Sequence, residues 1–580
     1  MRYLRAPVVL LLLALWPMHE GRAAVDQANA TAAVQGLLES AALQLPPAEG
    51  ERLRSFYVSR AYAPAWWQGG RWSADAGTAL QTLAGADRRG LVAADYHPQR
   101  LSAALDAAAG GDAATVATAD LQLSAAVMAY LDDLINGRVD PLSVGWKIDH
   151  HPYPVEVLLG EALRTGRLDH WLAAAGPQTP AFRALLDLRA RYRALEAAGP
   201  WPFLPEGPTL ARGDEGEAVA ILRRQLALLG DLPASPLPMV GARTKLRGDM
   251  ARTDAAAQRP HAVPVAAGQA GPYDARTEAG PARFDLALES AVKRFQRRHG
   301  LTVDGHVGAG TRAALNVGPR ARLRQIEANL ERLRWMPADL GERHVVVNIP
   351  AFELTAVTDG HVALRMPVVV GEPDWPTPVL SDEIVDFKFA PTWTVPASIL
   401  RREMLPQIRR DPGYLERKGL RVLYQGREVS PWEVDWSSVS AGSGYVLRQE
   451  PGPRNALGQI RFSLTNPYDI YLHDTPTTSS FARANRAVSH GCIRVAQPEE
   501  LALFLLDGNP AWDRARLRQA MNARGTHFHT LDRPVPVYLA YFTAWVDGDG
   551  VAQFRNDVYG RDAALIAALE HRPGRAPPAI

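Results

Sequence analysis

The chain has one cysteine in 580 residues. No internal disulfide can form, so Cys492 is either a buried inert side chain or a free reactive thiol. An excess of one charge is missing as well. Lys and Arg together number 64, against 62 Asp and Glu, and the +2 balance is carried entirely by Arg2, Arg5, Glu20 and Arg22. A balanced chain without a basic run offers no electrostatic footprint for nucleic acid, and none is expected as a partner. Metal-ligand spacing is lacking too. The histidines are scattered and form no zinc-site pattern with acidic residues, so neither a metal nor another cofactor is expected. Beyond the N-terminus, no stretch reads as long and apolar enough to cross a bilayer.

The first 24 residues have the order of an export signal. Arg2 and Arg5 are the basic start, "PVVLLLLALW" (7–16) is the apolar segment, and "GRAA" (21–24) supplies small residues for cleavage. The protein is therefore expected to work outside the cytoplasm, in a periplasm, with an uncleaved inner-membrane anchor as the alternative. A periplasm is oxidising.

The expected fold class is multidomain α+β. Residues 25–204 are rich in Ala and Leu, with helical spacing in "SAAVMAYLDDLINGRV" (124–139), and predict an α-helical scaffold. The Trp pair in "PAWWQGGRW" (64–72) reads as core or interface. A compact helical pattern covers 205–318. Val219, Leu222, Leu226 and Leu229 recur in its first half, Ala291, Val292 and Phe295 in its second, and Asp304-Gly305 marks a turn. Between the halves, 234–280 is too poor in apolar residues to build a core and reads as a disordered insertion. A helix is expected over 319–342. From 343 the period changes to that of strands. "HVVVNIPAFELTAVTDGHVALRMPVVVG" (344–371) reads as two β-rich runs around an Asp-Gly turn, and a mainly β domain runs to about 535. Its more polar middle, 396–455, reads as a capping subdomain. A late hairpin (536–554) and a short helix (562–570) are expected at the end.

The single thiol lies in "SHGCIRV" (489–495). A thiol is a poor nucleophile until a base takes its proton. Gly491 lets the backbone turn and approach a carbonyl closely, so its N–H and that of Cys492 are candidate oxyanion donors. In "YDIYLHD" (468–474), strand alternation puts Tyr471 and His473 on one face and Ile470 and Leu472 on the other. His473 precedes Cys492 by nineteen residues, enough for the chain to return beside that strand. His473 is the expected base, activating Cys492 as a thiolate, and His490 an orienting residue.

"YLHDTP…AVSHGCIRV", "PGPRNALG" (451–458) and "VVVNIPAFELTAV" resemble the catalytic domain of the L,D-transpeptidase family. The 205–318 segment resembles the three-helix peptidoglycan-binding domain of bacterial wall enzymes. The order scaffold, wall-binding domain, capped catalytic domain is similar to the large YcbB-like branch of Gram-negative bacteria. The resemblance implies Cys492, His473 and Gly491 as catalytic residues. It implies Tyr471, Arg494, His490 and Ser489 around the substrate, the last two orienting the loop. The implied substrates are peptidoglycan stem tetrapeptides as donor and the amine of a neighbouring stem as acceptor, joined in a 3→3 crosslink through a cysteine thioester. Other cell-wall synthesis enzymes are candidate partners, and a monomer is expected. Lipoprotein attachment, D-amino acid exchange, a wall peptidase and a non-catalytic wall-binding scaffold are the alternatives.

Overall fold

The computed structural model describes residues 17–40, 45–232, 282–440 and 442–571, with side chains from residue 27. The expected export signal lies mostly outside these residues, and the expected insertion at 234–280 wholly outside them.

The chain separates into two compact units, 190–323 and the remainder. The smaller unit holds helices Glu217–Leu229, Leu286–Arg298 and Ala309–Leu315. Val219, Leu222, Leu226, Ala291, Val292 and Phe295 are buried in its core, and Leu229 packs against it partly buried. The Asp304-Gly305 turn forms with Gly305 at φ +81°. Gln296 ties that turn down, donating to Asp304 Oδ1 and His306 O and accepting from Gly305 N.

In the larger unit, the N-terminal helices surround Ala113–Ile135, which starts where Asp112 accepts a hydrogen bond from Thr115 N. That helix is long and apolar enough by length and composition to cross a membrane, which corrects the expectation that no later stretch would be. Most of it is buried as a core helix. Asp120, one of its charged residues, accepts from Tyr57 Oη (2.5 Å) and from the N–H groups of Ala65 and Trp66 (2.8 Å each). The Trp66–Trp67 pair is buried, 0% and 7% exposed, as a core reading requires.

Ten strands build the sheet of the β-rich domain: β1 (Trp146–Lys147), β2 (Arg343–Asn348), β3 (Glu353–Thr358), β4 (His361–Gly371), β5 (Val379–Phe389), β6 (Ile460–Ser463), β7 (Leu472–His473), β8 (Ala487–Ser489), β9 (Ile493–Val495) and β10 (His527–Ala540). The order is β6–β7–β9–β4–β3–β2–β10–β5–β1. β6 also pairs with β5, so the eight strands from β6 to β5 close a circuit. β8 lies beside β4 and β1 beside β5, both parallel. Three strands, β2 to β4, stand where two runs were expected. A 3-10 turn at Ile349–Ala351 divides the first run, and the β3–β4 hairpin turns on Asp359-Gly360, both at positive φ as a type I′ turn needs.

Two boundaries move. β10 runs through position 535 and pairs with β2 and β5, so "PVYLA" is central sheet and not part of the late hairpin. The hairpin itself is Ala544–Val546 with Ala552–Phe554, and the closing helix is Arg561–Glu570. β1, from the region assigned to the helical scaffold, joins the sheet next to β5.

Between β5 and β6 a four-stranded sheet (Trp393–Thr394, Leu420–Tyr424, Arg427–Val429, Tyr445–Gln449) and the helices Ala397–Arg417 enclose their own core of Ile399, Leu405, Ile408, Leu415, Val422 and Leu447. This is the expected excursion, begun slightly earlier in the chain. Within it, Leu400–Met404 is a π-helical turn. Pro406 accounts for it: proline offers no N–H to the Arg402 carbonyl, and its ring crowds that oxygen.

Candidate active site

β7 and β9 run parallel, with Leu472 opposite Ile493 and His473 opposite Arg494. Leu472, Ile493 and Val495 are 0–1% exposed and face the core. Alternation therefore sends Tyr471, His473, Cys492 and Arg494 to the other face. Tyr471 falls opposite Cys492, and Ile493 N donates to Tyr471 O at 3.0 Å. The Tyr471 and His473 rings meet edge to face with centroids 5.8 Å apart.

The His473 Nδ1–H donates to the Asp474 carbonyl at 2.5 Å, which leaves the lone pair on Nε2. His473 is 5% exposed. Burial, then Arg494 and Arg461, lower its pKa to about 3. Burial likewise raises the Cys492 thiol, while hydrogen bonds from Tyr471 and the charge of Arg461 pull it back. The thiol donates to Asp469 O at 3.5 Å. The resting pair is thus neutral thiol and neutral imidazole. Burial first, and then the flanking guanidinium groups of Arg494 and Arg461, oppose a charged imidazole at rest.

The nucleophile loop is held from behind. Gly491 sits at φ +111°, and an added Cβ would come within 3.1 Å of Ile470 Cδ1. Thr377, fully buried, donates to Gly491 O at 2.6 Å and accepts from Gly371 N at 2.9 Å. Pinning that carbonyl fixes the Gly491–Cys492 peptide plane, so the Cys492 N–H points the opposite way. The Gly491 N–H points at Ser489 Oγ, 3.3 Å away, and Ser489 donates onward to Cys492 O at 2.7 Å. Of the two expected oxyanion donors, Gly491 N–H is engaged with Ser489, and Cys492 N–H points away from the Thr377 clamp. Ser489, 2% exposed, closes the loop from inside and does not face a substrate. His490 turns away from the sulfur. Its Nε2 bonds Glu403 of the capping subdomain, and its ring meets Trp375 edge to face at 5.5 Å. Arg402 lies over the same Trp375 ring at 4.7 Å. The π-helical turn thus brings the cap onto the nucleophile loop.

Five residues of this neighbourhood escaped the sequence reading: Thr377, Trp375, Glu403, Arg461 and Lys388. Lys388 and Arg461 carried a signal: in "DFKF", Phe387 and Phe389 alternate inward and send Lys388 to the other face. In "QIRFS", Ile460 and Phe462 alternate inward, which sends Arg461 to the other face. Its guanidinium lies 4.4 Å over the Tyr471 ring. Among the described residues, no three His, Cys, Asp or Glu side chains converge as a metal site would require.

Residues 342–512 match the family model of the YkuD L,D-transpeptidase catalytic domain. The β-rich domain is an L,D-transpeptidase catalytic domain. Residues 51–188 match a "Scaffold domain", and 269–315 a "Putative peptidoglycan binding domain". A curated protein of Haemophilus influenzae named "Putative L,D-transpeptidase" is 33% identical over 245 residues, 42% of this chain and 49% of the relative. The chain spans about half the length of that curated relative. Among solved structures, an L,D-transpeptidase from Mycobacterium smegmatis matches 34% of this chain and 58% of its own at 18% identity and TM-score 0.18. One from Stackebrandtia nassauensis matches 58% and 96% at 13% identity and TM-score 0.21. Scores this low add nothing to the fold assignment. The transpeptidase domain places Cys492 and His473 on adjacent parallel strands.

Proposed function

We propose that this chain is a periplasmic peptidoglycan L,D-transpeptidase that forms 3→3 crosslinks between stem peptides. The observation that carries the reading is the shared face of Tyr471, His473, Cys492 and Arg494, with the His473 tautomer set by Asp474. The donor is a stem tetrapeptide. Cys492 Sγ attacks the carbonyl carbon of the L-centre of its diaminopimelate as His473 Nε2 takes the thiol proton. Because a free-standing imidazolium is disfavoured here, transfer accompanies attack. The carbonyl oxygen becomes an oxyanion facing the Cys492 N–H. Collapse breaks the bond to the terminal D-amino acid, whose amine leaves with the proton from His473, and a thioester remains. The side-chain amine of a second stem attacks the thioester and gives its proton to His473. Collapse releases the crosslinked peptide, and the proton returns to the sulfur.

The cap suits this sequence of steps. Held by Glu403–His490 and Arg402–Trp375, it limits water near the thioester and favours the amine as acceptor. The peptidoglycan-binding unit would hold the polymer, and residues 1–24 would direct export.

The test is incubation of the protein with disaccharide-tetrapeptides and identification of products by mass. Crosslinked dimers lacking one D-amino acid are expected. Products of hydrolysis alone, or no reaction, would remove the proposal. A carbapenem, whose strained carbonyl resembles the donor end, should add once, on Cys492. Addition to the Cys492→Ala protein would show the wrong nucleophile.

A further inference from the structure

A row of side chains crosses the site face at one level of the sheet. Register pairs Lys388 with Arg461, Arg461 with His473, and His473 with Arg494. Neighbours in such a row stand about 5 Å apart at Cβ. Three of the four are cations. A fourth cation, Arg448, comes from the capping strand Tyr445–Gln449 and acts electrostatically on Lys388. Like charges so close repel unless an anion lies among them.

The protein supplies little counter-charge. None of the four cations makes an ion pair among the described residues. Arg461 donates to Ser463 Oγ at 3.3 Å, and Lys388 lies 5.5 Å from the exposed Phe528 ring. The Nε atoms of Arg448, Arg461 and Arg494 are all buried without a hydrogen-bond partner. Asp386 acts on Lys388, while Asp469 acts on Cys492 and not on the row itself. A buried donor left unpaired is costly, and Arg461 and Arg494 of the row share that condition with Arg448 of the capping strand. Planar guanidinium forks match carboxylates in two-point fashion.

We infer that Lys388, Arg448, Arg461 and Arg494 form an anion subsite that recognises free carboxylates on the donor peptide and rejects peptides whose carboxyls are amidated. The ligand rests on the transpeptidase reading; the anion preference of the site does not. A tetrapeptide donor has two such groups near the reacting carbonyl, the terminal carboxylate and the carboxylate at the far end of the diaminopimelate side chain. Both share the chemistry, and selective amidation separates them.

The test uses the full chain and its single thiol. The probes are iodoacetate and iodoacetamide, equal in reaction and different in charge. The ratio of their alkylation rates at Cys492, read by intact mass, reports the local field and cancels changes in thiol ionisation. The ratio should exceed that of a small free thiol and fall with added salt. Each of Lys388→Gln, Arg448→Gln, Arg461→Gln and Arg494→Gln should lower it about fivefold at low salt, and Arg461→Lys should restore most of the loss. Amidating the recognised carboxylate of a tetrapeptide should raise KM at least tenfold with kcat less affected. That penalty should shrink in the Gln variant of the cation that holds it. A charge ratio equal to that of the free thiol, or unmoved by all four folded variants, overturns the subsite. Unchanged KM for both amidated donors overturns its ligand. Anion preference in a protein that turns over no tetrapeptide would leave the subsite standing and remove the transpeptidase proposal instead.

Discussion

The neutral resting pair makes a specific claim about the pH dependence of Cys492. Free thiols ionise near ~8.5, and burial raises this one, while His473 is lowered to about 3. Moving the proton from sulfur to imidazole at rest therefore spans at least about 5 pH units, or roughly 7 kcal/mol at 1.36 kcal/mol per unit. Attraction between the resulting charges returns about 4 kcal/mol at contact for an effective dielectric of about 20. The balance is about 3 kcal/mol in favour of the neutral pair, on the order of a hundredfold in population. Alkylation by iodoacetamide, followed by intact mass from pH 5 to 10.5, should show one rise with its inflection above ~8.5 and no plateau at acid pH. His473→Ala should move that inflection by less than about one unit, because imidazolium does not stabilise the resting thiolate. The same variant should lower acyl transfer by ~10²–10⁴-fold, the usual worth of a positioned base. Arg461→Gln and Tyr471→Phe should move the inflection upward, since both side chains favour the thiolate. An acidic limb with an apparent pKa below ~7 in the unmodified protein, lost in His473→Ala, would refute the neutral pair and establish a resting ion pair.

Three further outcomes follow from the same geometry. His473, unfolded near ~6.5 and folded at about 3, binds fewer protons in the native state, so its contribution is intact above pH ~6.5 and is lost as pH falls toward 3. The loss reaches about 4–5 kcal/mol at most, and His473→Gln should show a smaller drop in Tm between pH 7 and pH 4 than the unmodified protein. Thr377→Val removes the donor to Gly491 O, and should cost about 1–3 kcal/mol of stability and at least tenfold in acyl transfer, read by thermal melts and single-turnover mass. Glu403→Gln takes the carboxylate from a contact with His490 that is partly exposed on both sides, so Tm should change little, while the share of hydrolysis relative to crosslinking should rise as the cap loosens. An unchanged product ratio would mean that this contact does not hold the cap.

The sequence was most informative where chemistry and periodicity coincide. Cys492 beside Gly491, and a histidine on an alternating strand, singled out two residues that the structure puts on adjacent strands. Alternation over 470–473 correctly separated Tyr471 and His473 from Ile470 and Leu472, because the core-facing residues are apolar and the others are not. Helical period did the same for the smaller unit, where Val219, Leu222 and Phe295 are buried as spaced. Period said less about extent. Helix Ala113–Ile135 stops short of position 139, where Gly137 takes φ +92°, and β10 continues through a boundary that had been set at 535.

What stayed hidden depends on register, which no local pattern carries. Lys388, Arg461 and Arg494 lie far apart in the chain, and each alone looks like a solvated surface residue. They become one row because β5, β6, β7 and β9 pair as they do. Gly371 is a sharper case. It ends a strand, where glycine is unremarked, yet a Cβ there would stand 1.9 Å from Trp375 O and 3.0 Å from Gly491 Cα. Both obstacles are backbone, so neither can rotate away as a side chain would. The β4 end, the Trp375–Thr377 segment and the nucleophile loop therefore share one space that only glycine leaves open. Gly371→Ala must displace either Thr377, and with it the clamp on Gly491 O, or the nucleophile loop directly. Both routes turn the Cys492 N–H out of line. The expected result is a protein that loses acyl transfer by at least ~10²-fold, the cost of one oxyanion donor, even when its helical unit folds normally. A Gly371→Ala protein with normal transfer would mean that the Gly491–Cys492 peptide is not held by this packing at all.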